Sequence, residues 1–166
     1  TVLSGPQTLD RDAIARRIPH QGAMCLLDAV LGWDHEHIRC RAGNHRSPDH
    51  PLRAYGRLGA ACGIEYAAQA MAVHGALVGD SAHSDASDAP PRAGYLAGMR
   101  GVTLHVDRLD TVDGPLSVNA QRITGDDNTV LYSFELQAGK RTLLSGRAIV
   151  VLDAAGLSAA PARTPR

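Results

Sequence analysis

No charge of either sign predominates in this chain, whose 17 basic and 17 acidic residues cancel to a formal net charge of zero. Without a long-range field of one sign nothing gathers a nucleic acid or an anionic membrane surface, so a nucleic-acid role is set aside. Lysine is nearly missing: every basic residue except Lys140 is an arginine. Arginines scattered this way read as surface residues first and phosphate forks second. Cysteine is scarce and odd in number, with Cys25, Cys40 and Cys62 widely spaced among apolar neighbours. That suits reduced core thiols in the cytoplasm better than disulfides. No charged-then-apolar leader opens the chain, and its longest apolar stretch is interrupted by Glu65, Gln69 and His74. Neither a signal peptide nor a membrane span is expected.

Common catalytic signatures are missing too. There is no Gly-x-Ser-x-Gly elbow, no Gly-x-x-x-x-Gly-Lys-[Ser/Thr] loop, no Gly-x-Gly-x-x-Gly and no Cys-x-x-Cys, so serine hydrolase, nucleotide and zinc readings lose support. His35 and His37 sit two apart at a turn, but no third ligand follows at a known zinc spacing, and no metal is expected. What is left is acid/base chemistry by a histidine and a carboxylic acid, a pair suited to proton transfer α to a carbonyl.

What is present fits one domain: 166 residues, 44% of them hydrophobic, supply a genuine core. Asp10 with Ala13, Ile14 and Ile18 at helical spacing, closed by Pro19, predicts a short helix over about 10–18. Residues 24–33 and 36–42 read as two strands, and the polar, proline-bearing stretch 43–58 as a surface loop. From Gly59 to about Val78 the chain is alanine-dominated and apolar on every face, the mark of a buried helix. Residues 79–92 have the composition of a mobile linker and 154–166 that of a disordered tail, leaving a core of about 10–153. Between them, alternating segments at about 94–107, 115–124, 129–138 and 141–152 predict four more strands. A lone apolar helix needs a curved antiparallel sheet on one side and a partner on the other, so an α+β fold that at least dimerises is expected.

Glu65 is the most informative residue, because the only other glutamates, Glu36 and Glu135, lie in half-exposed strand patterns. Burying an unpartnered carboxylate costs about several kcal/mol, so such a residue is either functional or bonded into a structural network. Gln69, four positions on, shares its helix face and offers an amide to hold it. His20 and His50, each beside a loop proline, are the candidate bases, with His45 a weaker third. His74 falls on the opposite side of the helix from Glu65 and reads as a packed or interface histidine.

Three stretches together resemble the hotdog-fold 3-hydroxyacyl-acyl carrier protein dehydratases, especially their divergent aryl-polyene (ApeP-like) branch. They are Ile18-Pro19-His20-Gln21-Gly22 running into Met24-Cys25-Leu26-Leu27, then Gly63-Ile64-Glu65-Tyr66-Ala67-Ala68-Gln69, then Gly94-Tyr95-Leu96-Ala97-Gly98-Met99-Arg100. The resemblance implies a hotdog fold, a sheet wrapped around one central helix. It implies a dehydratase acting without a cofactor on an acyl carrier protein or coenzyme A thioester. The assembly it implies is a homodimer or a hotdog heterodimer. Glu65 takes the place of the family's acid, and His50, fifteen residues before it, that of the histidine in the family's His-Phe-Pro-Gly segment. Here the phenylalanine and the Pro-Gly pair are missing, and Gly59-Ala60 stands at the helix start instead. His20 is the alternative base. Gln69, Gly63, Gly59 and Tyr95 are then expected to bind substrate, and the peptide N–H groups around Ala60 to Gly63 to hold an enolate-like oxygen, with Gly63 leaving room for the approach. Two rival readings share the scaffold: an acyl thioesterase in which Glu65 directs water, and a non-catalytic carrier-binding or partner subunit.

Overall fold

The computed structural model describes residues 8–82, 94–126 and 128–152. Asp10 ends a two-residue strand, β1 (Leu9–Asp10), and its carboxylate accepts the N–H of Ala13 at 2.9 Å to cap α1 (Arg11–Ala15). The cap satisfies a donor that the first helical turn cannot satisfy itself. The helix is shorter than the predicted 10–18, because the Arg17 N–H turns to Ile14 O at 2.9 Å and tightens the chain. Ile14 and Ile18 are buried and tie this segment to the core.

The first predicted strand forms only in its second half. A 3-10 turn occupies Gly22–Met24, residues 25–28 belong to no helix or strand, and β2 covers Ala29–Trp33. The cause is a distant side chain: the Leu26 N–H goes to Gln69 at 2.8 Å instead of to a neighbouring strand. β3 (His37–Ala42) alternates buried and exposed residues as its sequence does. After the loop, a 3-10 turn at Ala60–Cys62 runs into α2 (Gly63–Ala82). Gly79 to Ala82 are therefore helical, not linker as their composition suggested. Stretches 83–92 and 154–166, read from sequence as linker and tail, lie outside the described residues. β4 (Gly94–Leu104), β5 (Leu116–Gly125), β6 (Thr129–Ala138) and β7 (Arg141–Leu152) complete the element order.

The seven strands among the described residues form one antiparallel sheet in the order β1-β2-β3-β5-β6-β7-β4. β4 is laid down beside β7 at the far edge, so residues 105–115 must cross back before β5 can join β3. The helix α2 packs on β3, β5 and β6. Tyr66, Ala67, Ala70, Val73 and Leu77 from the helix meet Val118, Leu136 and Leu144 from the sheet in one buried core. Each leucine-sized side chain fully buried there contributes about 1.5–3 kcal/mol. Gly63 is what lets the helix start lie so close, since a β-carbon on it would run into Leu144 Cδ2 and press on Leu136. This is the sheet wrapped around one long helix that a hotdog fold requires. One stripe of α2, Glu65, Ala68, Ala72, Ala76 and Gly79, stays half-exposed.

The crossover also anchors the helix start. Asp110 accepts the Leu58 N–H at 3.0 Å and Arg53 Nη2 at 3.1 Å, and pairs closely with Arg108. Its carboxyl lies well below the usual range, first because of the Arg108 hydrogen bond and then through Leu58 and Arg53.

Candidate active site

Glu65 sits in the first turn of α2, and the turn that follows α1 brings His20 to it. Gln21 closes that turn by donating from Nε2 to Ala15 O at 2.8 Å and Ile18 O at 3.2 Å. His20 Nε2 then lies 3.0 Å from Glu65 Oε1, with the two side chains 28% and 34% exposed. The carboxyl is thus partnered and partly open to solvent, whereas the apolar helix predicted a buried one. His20 Nδ1 is enclosed and has no hydrogen-bond partner among the described residues, so only one side of the ring is held.

Gln69 is fully buried and fixes the arrangement. Its Nε2 donates to Met24 O at 2.8 Å and to Glu65 Oε1 at 3.3 Å, while its Oε1 accepts the Leu26 N–H. An amide bonded to a carbonyl on one side and an N–H on the other has only one orientation. It clamps residues 24–26 to α2 and turns a donor toward the carboxylate. As read from the sequence, Glu65 and Gln69 share a face; the structure adds that this face meets the segment carrying His20.

His50 is not brought to Glu65 within the chain. Its Nε2 lies 2.9 Å from Tyr66 Oη, and Tyr66 Oη donates to Asn44 Oδ1 at 2.6 Å. With the phenol proton committed to Asn44, His50 Nε2 must donate, and Nδ1 accepts the Leu52 N–H at 3.1 Å. Both ring nitrogens are therefore occupied in the neutral form. Burial lowers the His50 pKa, with Arg53 and His45 adding to the shift. Tyr66 and Asn44 were not singled out from the sequence; a lone tyrosine in an aliphatic helix is the signal that would have found Tyr66, and Asn44 gave none.

The other expected residues fall in different surroundings. On the side where a β-carbon would stand, the space beside Gly63 is filled by Leu144. The N–H groups of Ala60, Cys62 and Gly63 bond to Asp107 O, Gly59 O and the Ala60 and Ala61 carbonyls, so these three of the expected oxyanion donors are engaged within the chain. Gly59 borders open space. Tyr95 is exposed on edge strand β4 and makes no hydrogen bond to the Glu65 cluster. His74 is packed in the core, accepting from Tyr132 Oη at 2.7 Å and donating to Asp34 O at 2.7 Å. His45 is also buried, its Nε2 donating to Val112 O at 2.9 Å.

Residues 12–158 match the sequence pattern of the family described as ApeP-like, ApeP dehydratase. The dehydratase heterocomplex ApeI:P from Xenorhabdus doucetiae is similar in structure, with a TM-score of 0.71 at 24% identity over 85% of this chain and 91% of that one. A thioesterase from Haemophilus influenzae gives a TM-score of 0.60 at 8% identity over 87% and 91% of the two chains. A hypothetical thioesterase protein with coenzyme A from Streptococcus pneumoniae gives 0.54 at 9% identity over 75% and 84%. At these identities the likeness speaks for the hotdog fold alone. No curated protein matches the sequence.

Proposed function

We infer the reaction from the premise that this chain belongs to the ApeP-like dehydratase family, which supports a hydro-lyase. We propose that its substrate is a 3-hydroxyacyl thioester on an acyl carrier protein or coenzyme A, dehydrated to the trans-2-enoyl thioester in fatty-acid-like or aryl-polyene biosynthesis without a cofactor. The observation that carries this reading is the 3.0 Å contact between His20 and Glu65, backed by Gln69. His20 takes the C2 proton, and protonated Glu65 gives its proton to the 3-hydroxyl, which leaves as water. The pair ends as imidazolium and carboxylate. One proton passing across the same contact resets it, so the cycle closes with no other donor. Contact with Glu65 on a pair partly open to solvent is what this exchange needs, which favours His20 over His50.

The assembly proposed is a homodimer, or a hotdog heterodimer like the ApeI:P heterocomplex that shares the fold. Two features support it: the half-exposed stripe of small residues on α2, and β4, an edge strand with Tyr95, Leu96 and Leu104 exposed. An exposed apolar edge strand invites pairing with a second chain. No helix among the described residues is long and apolar enough to cross a membrane, and the free thiols Cys25, Cys40 and Cys62 support a cytoplasmic setting.

The test is incubation with a 3-hydroxyacyl carrier protein followed by intact mass measurement. Loss of one water is the expected result. Release of free carrier thiol would establish the thioesterase reading instead, and an unchanged mass with the protein alone and with its partner would establish a non-catalytic subunit.

A further inference from the structure

The sheet face turned away from α2 carries a groove of about 1080 Å³ that crosses β3, β5, β6, β7 and β4. Register sets its two walls. One is the row Arg39, Asn119, Glu135, Ser145; the other is His37, Gln121, Ser133, Arg147, Arg100. In the second row Arg100 and Arg147 are direct cross-strand partners, and both are exposed. Like charges directly opposite on adjacent strands are destabilising. In a chain with as many acidic as basic residues, this repulsion stands uncompensated: among the described residues neither arginine forms an ion pair.

The carboxylates that line the groove are held by groups other than the two arginines, and Asp34 Oδ1 lies 3.3 Å from His37 Nδ1 on the groove wall. Glu135 accepts from Gln137 Nε2 at 2.8 Å and Thr142 Oγ1 at 2.6 Å. Asp34 accepts the N–H groups of Glu36 and His37 at 2.8 and 2.7 Å. Immediately after Arg100 the ladder shifts register, and Gly101 takes φ 59°, with open space where a side chain would stand. Bulges of this kind re-aim a neighbouring side chain, and they recur beside binding sites.

We propose that this groove binds an extended organic phosphate, its phosphate held between Arg100 and Arg147. Planar guanidinium forks match phosphate oxygens, and a doubly charged anion relieves the repulsion that the paired arginines impose. Five strands at about 4.8 Å spacing span roughly 19 Å, room for a ligand well beyond the phosphate itself. Asn119, Gln121 and Ser133 offer neutral hydrogen-bonding groups along that span, and Arg39 a further cation. The groove lies on the opposite face of the sheet from α2 and Glu65, so this is a second site, independent of the dehydration reading.

The probe is inorganic pyrophosphate, compared with sodium chloride at matched ionic strength, in thermal unfolding of the full chain in its native assembly. A saturable rise in Tm of roughly 3 °C or more is expected with pyrophosphate alone. Arg147→Gln and Arg100→Gln should each abolish that rise while lifting Tm in its absence, because either change removes the repulsion. A pyrophosphate effect no larger than that of chloride overturns the proposal, including the case where a partner subunit already neutralises the arginines. So does an equal rise in the variants.

Discussion

Two histidine clusters flank the central helix, and they differ in how completely their hydrogen bonds close. In the His50–Tyr66–Asn44 chain His50 and Tyr66 are buried, Asn44 is half-buried, and neither ring nitrogen is left free. The His20–Glu65–Gln69 cluster is about one-third exposed and leaves His20 Nδ1 unpartnered. A closed buried network is expensive to break and contributes to stability; an open one can exchange protons with a bound molecule. Histidine position in the sequence does not distinguish these cases. The partners of both nitrogens do.

The largest effects should come from the open cluster. Glu65→Gln keeps size and hydrogen bonding but removes the transferable proton, so dehydration should fall by roughly 10²-fold or more. His20→Ala should lose a similar factor. Both variants should unfold within a few degrees of the wild-type protein, because neither group is fully buried. Near-normal water loss by Glu65→Gln, read by intact mass, would reassign the carboxylate as structural.

The closed cluster should respond in stability. His50→Ala leaves the Leu52 N–H without its acceptor, removes the donor to Tyr66 Oη and opens a cavity beside the phenol. The expected cost is about 2–4 kcal/mol by urea unfolding, with the activity of the folded fraction largely kept. A His50→Ala protein that is stable but inactive would reverse the comparison. Gln69→Ala belongs to both clusters' behaviour: it strands the Leu26 N–H and Met24 O and frees Glu65. It should cost about 2 kcal/mol and lower kcat by roughly tenfold, since a positioning group is lost and not a reacting one.

Much of this arrangement was legible in the residues themselves. The unbroken alanine-rich run marked α2, strict alternation marked β6, and Glu65 stood out as a carboxyl in an apolar helix. What escaped is long-range. The strand pattern of residues 24–28 is overridden by a side chain forty-three positions on, when Gln69 takes the Leu26 N–H. Gly79 to Ala82 have linker composition yet extend the helix, where Asp80 meets Arg17 at 3.7 Å. Neither β1, too short to show a period, nor the choice between His20 and His50 can be read without knowing which distant groups face each ring.

The smallest effect concerns pH, and it separates the clusters without any substrate. His50 and His74 both have pKa values lowered from their ordinary 6.5, first by burial. In the window between those lowered values and 6.5 the unfolded chain binds more protons than the folded one, so stability rises with pH. The contribution is fully present above about pH 6.5 and is lost as pH falls through the folded values. Carboxylates held low by their partners, Asp34 and Asp126, lose their contribution only nearer their ordinary 3.8, outside this range. Urea unfolding between pH 7.5 and 5.5 should therefore show stability declining on acidification, by at most about 1.4 kcal/mol per pH unit for each histidine. His50→Gln should be shallower, because one of the two titrating groups is gone. Equal slopes for the two proteins would mean that His50 takes up its proton as readily folded as unfolded, and the closed network would then have no hold on its charge.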